Sequence, residues 1–225
     1  MTTVELRVSG SAAEAEHEAA ELLAHRAALG GHVALSGGST PKPAYQAAAR
    51  LEPDWGGVEL WFADERCVPP DDERSNYRLV REHLLDRLDR PPAVEHRVRG
   101  ELTPEEAADA YEQELRGVVF DLVLLGIGPD GHTASLFPND PAVDELRRRA
   151  AAVRRPDVDR VTVTIPPLNA AETLVFLVTG EEKADAVRRA FGEELTPATP
   201  ASLVRSTAGA TIALLDRAAA AQLPT

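Results

Sequence analysis

The chain has 225 residues, 44% of them hydrophobic, which is enough to bury one core of its own, and it carries a formal net charge of -13 at pH 7. That charge disfavours nucleic-acid backbones and anionic lipid surfaces as broad partners. The single cysteine, Cys67, excludes an internal disulfide, and no apolar run approaches the ~20 residues of a membrane span or resembles a signal peptide.

A cytoplasmic protein with one domain over 1–225 is therefore expected. A first strand is predicted at 4–8, then a helix at 11–29 that Ser11-x-x-Glu14 opens with capping-box spacing. A strand at 32–36 runs into Gly37-Gly38-Ser39-Thr40-Pro41 and a helix at 41–51, with Thr40 as N-cap and proline in the first turn. Next come a strand at 58–63, helices near 75–88 and 104–117, and a long apolar strand at 119–127. The remainder reads as a helix at 142–152, strands at 161–165 and 173–179, a helix at 181–191 that Thr179-x-x-Glu182 would cap, and a last strand at 210–215. Polar and proline-rich patches at 69–74, 91–92, 138–141, 154–157 and 196–200 read as surface loops, too short to be domain linkers. This alternation predicts an α/β fold, a mainly parallel, doubly wound sheet covered by helices on both faces in three layers. Ligands then collect in the loops beyond the carboxyl ends of the strands.

One such loop contains a literal G-x-G-x-x-G at Gly126, Gly128 and Gly131. A dinucleotide loop needs a long helix after its third glycine and a second strand ending in an acid about 20 residues on. Here Pro138 arrives seven residues after Gly131, and residues 144–149 are polar and helical in pattern. The glycines instead turn the chain sharply and present Asp130-Gly131-His132 at the sheet's mouth. Gly131 leaves room for close approach of a substrate, His132 suits proton abstraction from water, and Asp130 is near enough to orient it. The same residues also suit a plain turn in which His132 caps a short helix.

The loop at Gly37, Gly38, Ser39 and Thr40 offers backbone N–H groups and hydroxyls at a helix start, which favours an anion. It lacks P-loop spacing, so a monophosphate suits it better than a nucleotide triphosphate. After the strand at 58–63 come Asp64, Glu65 and Arg66, with Arg66 positioned to face an anion and Asp64 a hydroxyl or acid–base partner. Of 24 basic residues only Lys42 and Lys183 are lysines, and Lys183 falls in a helix first turn, where a cation opposes the dipole unless an anion binds there. Arg160 opens a strand and is the weakest candidate. His17, His25, His83 and His96 show no metal-ligand spacing and read as solvated.

The blocks LSGGSTP (35–41), WFADERCVPPDDERSNY (61–77), DLVLLGIGPDGHTASLFP (121–138) and LNAAETLVFLVTGEEKADAV (168–187) resemble the 6-phosphogluconolactonase family, within the wider glucosamine-6-phosphate isomerase/deaminase-like fold. The resemblance runs from about residue 8 to 216. It implies hydrolysis of a sugar-phosphate lactone in the oxidative pentose phosphate pathway, with no metal or organic cofactor. It places the phosphate at Gly38, Ser39 and Thr40 with Arg66, Lys183 and Arg160, and makes His132 the general base beside Asp130. The related deaminases share the first loop and the Asp-Gly-His turn. They carry Asn-Glu-Pro after the histidine, where this chain has Leu136-Phe137-Pro138, which counts against deamination; deamination or sugar-phosphate isomerisation is kept as the alternative. The resemblance leaves monomer or homodimer open.

Overall fold

In the computed structural model, residues 3–224 are described. The chain runs through β1 (Val4–Ser9), α1 (Ala12–Leu29), β2 (Gly31–Leu35), α2 (Lys42–Leu51), β3 (Val58–Phe62), β4 (Asp64–Arg66), α3 (Asn76–His83) and β5 (Val94–His96). It continues through α4 (Pro104–Glu114), β6 (Leu122–Leu125), β7 (Ala150–Val153), β8 (Arg160–Val163), α5 (Ile165–Asn169), β9 (Thr173–Val178), α6 (Ala184–Phe191) and β10 (Ala210–Asp216). Seven strands form one sheet in the order β1-β10-β9-β6-β2-β3-β5, and every pairing in it is parallel. The expected parallel doubly wound sheet is therefore present.

Strand alternation sends successive residues to two cores, one on each face. Val33, Leu35, Leu60, Phe62, Leu122, Leu124, Val175 and Leu177 pack under α1, α2 and α3. Ala34, Trp61, Val123, Leu125, Leu174 and Phe176 pack on the other face against α4 and α6. The first face admits close helix packing because α1 and α2 meet it and each other through alanines, among them Ala19, Ala20, Ala44 and Ala48, all fully buried.

Several local expectations are corrected. No helix forms over 142–152: Pro141–Asp144 makes a single 3-10 turn and Ala150–Val153 is strand β7. A run of Arg and Ala favours helix locally, and pairing with β8 overrides that preference. Together β4, β8 and β7 form a separate three-stranded antiparallel sheet that periodicity did not reveal, because β4 is only three residues long. Ser11 caps α1 as expected, but the Glu14 carboxylate takes the N–H of Gly10 (2.6 Å), one residue earlier than a capping box requires. Thr179 caps nothing, since Gly180 precedes a 3-10 turn that leads into α6. His96 is not solvated: it stacks on Trp61 at 3.6 Å and bonds to Glu59 and Glu114.

The sheet order positions the site. From β2 the chain moves outward to β3, whereas from β6 it moves the other way to β9, so the loops leaving β2 and β6 diverge over one crevice.

Candidate active site

The loop leaving β2 forms one wall. Gly38 adopts φ 97°, a region that favours glycine, with open space where a side chain would project. Gly37 is constrained differently, because a Cβ there would lie 1.8 Å from Oδ1 of Asn76. Among the described residues, the N–H groups of 37–40 donate to no protein acceptor. Pro41, not Thr40, occupies the N-cap of α2 and brings no side-chain cap, so Thr40 stays free to line the cleft. Several unspent donors beside a helix start make an anion cradle.

The loop leaving β6 forms the opposite wall and carries His132. Its turn closes on itself through Gly128 N–H to His132 O (2.8 Å) and Gly131 N–H to Gly128 O (2.9 Å). The imidazole lies so close to Gly128 that a Cβ there would be 2.1 Å from the ring, and it packs against Phe137 at 4.6 Å. Nδ1 meets Oδ1 of Asp130 at 2.5 Å, and the hydrogen bond from His132 holds the Asp130 carboxyl at about 2. An ionised carboxylate only accepts, so Nδ1 carries the proton and Nε2 of the neutral ring keeps its lone pair for a substrate or water.

Beneath these walls, β4 and the start of α3 build the floor. Glu65 is buried and accepts from the N–H groups of Arg66, Asn76 and Tyr77 and from the Ser75 hydroxyl, which ties β4 to the first turn of α3. Burial pushes its carboxyl up despite those donors. Asp64, also buried, accepts from Asn76 Nδ2 (3.1 Å) and Ser135 Oγ (2.7 Å). Ala134, at φ 49°, holds about 1–2 kcal/mol of backbone strain at the turn that aims Ser135 at Asp64. Asn76 donates to the carbonyl and carboxylate of Asp64, leaving Oδ1 with no protein partner. Ser36 Oγ and Arg66 Nε are likewise buried and unpaired. Three orphaned polar atoms on one cleft mark where a polar ligand completes the hydrogen bonding.

The cleft offers about 220 Å³ and brings together Gly37, Gly38, Ser39, Thr40, Asp64, Arg66, His132 and Lys183. Arg66 donates through Nη1 to Arg74 O (2.5 Å). Lys183 makes no ion pair among the described residues, and burial lowers its ammonium pKa. Asp130 stands behind the histidine. Besides Asp130, two more candidates do not line the cleft. Gly131, at φ 92°, faces Arg189 and Thr199, not a ligand. Arg160 is the antiparallel register partner of Arg66, but its guanidinium pairs with Asp157 and lies 5.4 Å from the Phe137 ring. Lys42 also lies outside the lining, as does Cys67, a half-buried thiol that burial pushes up to about 11. Sequence reasoning missed Ser36, Asn76 and Ser135. Of these, only Asn76 left a trace, one residue after the Ser75 N-cap of α3.

A parallel doubly wound fold whose switch-point crevice sets free N–H groups and a lysine opposite an aspartate-oriented imidazole defines a class, the α/β enzymes acting on small phosphorylated substrates. The sequence model of the family described as glucosamine-6-phosphate isomerases/6-phosphogluconolactonase matches residues 5–213, and the chain belongs to that family. It is 40% identical over 204 residues to the 6-phosphogluconolactonase of Synechocystis, covering 86% of this chain and 85% of that protein. It is 43% identical over 171 residues to the human 6-phosphogluconolactonase, covering 72% of this chain and 66% of the human protein. The crystal structure of 6-phosphogluconolactonase from Thermotoga maritima superimposes with a TM-score of 0.79 at 32% identity, over 96% of this chain and all of that one.

Proposed function

We propose that this chain hydrolyses 6-phospho-D-glucono-1,5-lactone to 6-phospho-D-gluconate, a step of the oxidative pentose phosphate pathway. The observation that carries the reading is the placement of the Asp130–His132 pair across one small cleft from the unspent N–H groups of 37–40 and the unpaired Lys183.

In this reading the 37–40 loop, Lys183 and Arg66 hold the 6-phosphate. Gripping a group remote from the reacting carbon fixes the lactone carbonyl beside the histidine, so binding energy serves orientation. Nε2 of His132 takes a proton from water as the oxygen attacks C1, and Asp130 stabilises the imidazolium that forms. Collapse of the tetrahedral intermediate breaks the bond from C1 to the ring oxygen, which receives the proton back from Nε2. The product carboxylic acid then ionises to solvent. Asp64, whose two oxygens each accept only one bond, and Oδ1 of Asn76 supply acceptors for the sugar hydroxyls. Arg160 acts from behind, against Phe137. A cytoplasmic location suits such a substrate, and among the described residues no helix is long and apolar enough to cross a membrane.

The rival reading, sugar-phosphate deamination or isomerisation, draws on an acid following the histidine. That segment carries buried Leu136 and Phe137 instead, with Phe137 against the ring, and Asp130 is the only carboxylate bonded to His132 among the described residues. The test is hydrolysis of freshly generated 6-phosphogluconolactone, corrected for spontaneous opening, in parallel with ammonia release from glucosamine 6-phosphate. Lactone turnover with no ammonia is expected, and the reverse result overturns the assignment. In the same assay His132→Ala is expected to lose about 10²- to 10⁴-fold in kcat with little change in KM.

A further inference from the structure

The turn that carries His132 is held from outside the cleft by one side chain. Arg189, two turns into α6, directs its guanidinium at three consecutive features of that turn and its support. Nη2 donates to the carbonyl of Pro129 (3.0 Å), and Nη1 donates to the carbonyl of Asp130 (3.2 Å) and the hydroxyl of Thr199 (3.0 Å). Nε is anchored on Asp185, one helical turn back, at 2.8 Å. The next carbonyl along, that of Gly131, accepts from the N–H of Ala201 (3.0 Å). A side chain on Gly131, whose φ of 92° itself favours glycine, would also meet Thr199 at 2.9 Å and Nη1 of Arg189 at 3.0 Å.

We propose that Arg189 is a positioning residue for His132, fixing the Pro129-Asp130-Gly131 backbone so that the Asp130 carboxylate and the imidazole keep their mutual geometry. The proposal rests on the reading of His132 as general base. Arg189 is absent from the cleft lining. Without it, the internal bonds of the turn preserve its shape, but among the described residues the bond from Ala201 N–H to Gly131 O is the one hydrogen bond left between residues 128–132 and another segment. The same helix follows directly on Lys183, so α6 is a rod that references the catalytic turn to the phosphate end of the cleft. A displacement of about 1 Å at such a site costs on the order of 100-fold in rate.

The test uses the full chain and four variants: Arg189→Met, Arg189→Ala, His132→Ala and the double variant Arg189→Met/His132→Ala. For Arg189→Met, which keeps the apolar stem and deletes the donors, kcat is expected to fall about 10- to 100-fold. KM and competitive inhibition by inorganic phosphate should stay within about twofold, because the phosphate cradle is untouched. Millimolar guanidinium should restore part of the kcat of Arg189→Ala. In the double variant the losses should not add, since the placement of the turn matters to the rate only while the base is present. Near-parental kcat in Arg189→Met overturns the proposal. So do losses that multiply in the double variant, or a kcat loss matched by weaker phosphate inhibition and a lower Tm. Near-parental turnover in His132→Ala instead removes the general-base reading itself, whatever Arg189 does.

Discussion

At His132, four contacts specify one imidazole: the carboxylate of Asp130 on Nδ1, the bare Cα of Gly128, the ring of Phe137 and the closing bond that Gly128 N–H donates to its carbonyl. The literal G-x-G-x-x-G thus has a local explanation unrelated to nucleotides. Gly128 clears the ring, and Gly131 clears Arg189. Lys183 is the other residue on which function turns. Its charge is held half-buried without a partner, a cost that a phosphate relieves. Lys183→Ala is therefore expected to raise KM for the phosphorylated lactone about 10- to 150-fold, the worth of one charge-assisted hydrogen bond, while leaving an unphosphorylated lactone nearly unaffected. Steady-state kinetics on both lactones checks this, and equal effects on the two would separate Lys183 from the phosphate. Both residues were visible in the sequence, the histidine by its loop and the lysine by its rarity among arginines. Arg189 was hidden by the same arginine background.

Elements owe their placement to contacts between segments distant in sequence. The short strand β4 has three residues and no periodicity of its own, yet it presents Asp64 and Arg66 to the cleft and Glu65 to α3 while its backbone pairs with β8. Glu65 is the joint. Removing its carboxylate leaves the N–H groups of Asn76 and Tyr77 buried without acceptors and frees the first turn of α3. Glu65→Ala is expected to destabilise the protein by about 2–4 kcal/mol, measured by urea denaturation. It should also raise KM, because Asn76 loses its place on the cleft floor. Unchanged stability would mean that water replaces the carboxylate. The 142–152 segment teaches the same lesson in reverse: its composition suits a helix, and β8 recruits it as a strand.

Over the whole molecule, two questions concern cooperativity and charge. The small antiparallel sheet contributes Ala150, Val153, Val161 and Val163 to the same core as Trp61 and Phe176, whereas Trp55 lies in the core on the other face. We propose that both cores unfold as one unit. Trp55→Phe and Trp61→Phe, each leaving a single tryptophan in one core, should then show coincident fluorescence transitions in denaturant, and separated midpoints would reveal two units. Acid stability follows from ion pairs. Arg74, Arg97 and His132 hold the carboxyls of Asp72, Glu101 and Asp130 at about 2 by hydrogen bonding. Their unfolded values lie near ~4, so the stability they contribute is fully present above that value and is lost as pH falls through about 2. A Tm plateau extending down to about pH 4, then a decline towards pH 2, is expected by calorimetry.

The amino-acid order alone determined the strand–helix alternation, hence the doubly wound class, because alternating and 3.6-residue apolar periods are local properties of a chain. It also determined which loops leave the carboxyl ends of strands and carry Gly38, Thr40, Arg66, His132 and Lys183. Tertiary structure decided what no local period encodes. The register of β4 against β8 set Arg160 behind Phe137 instead of in the cleft. The packing of α3 on Glu65 brought in Asn76, and the reach of Arg189 across 59 residues set its guanidinium against Gly131. Each of these depends on contacts between segments far apart in the chain, whose energies arise only once the sheet has brought them together.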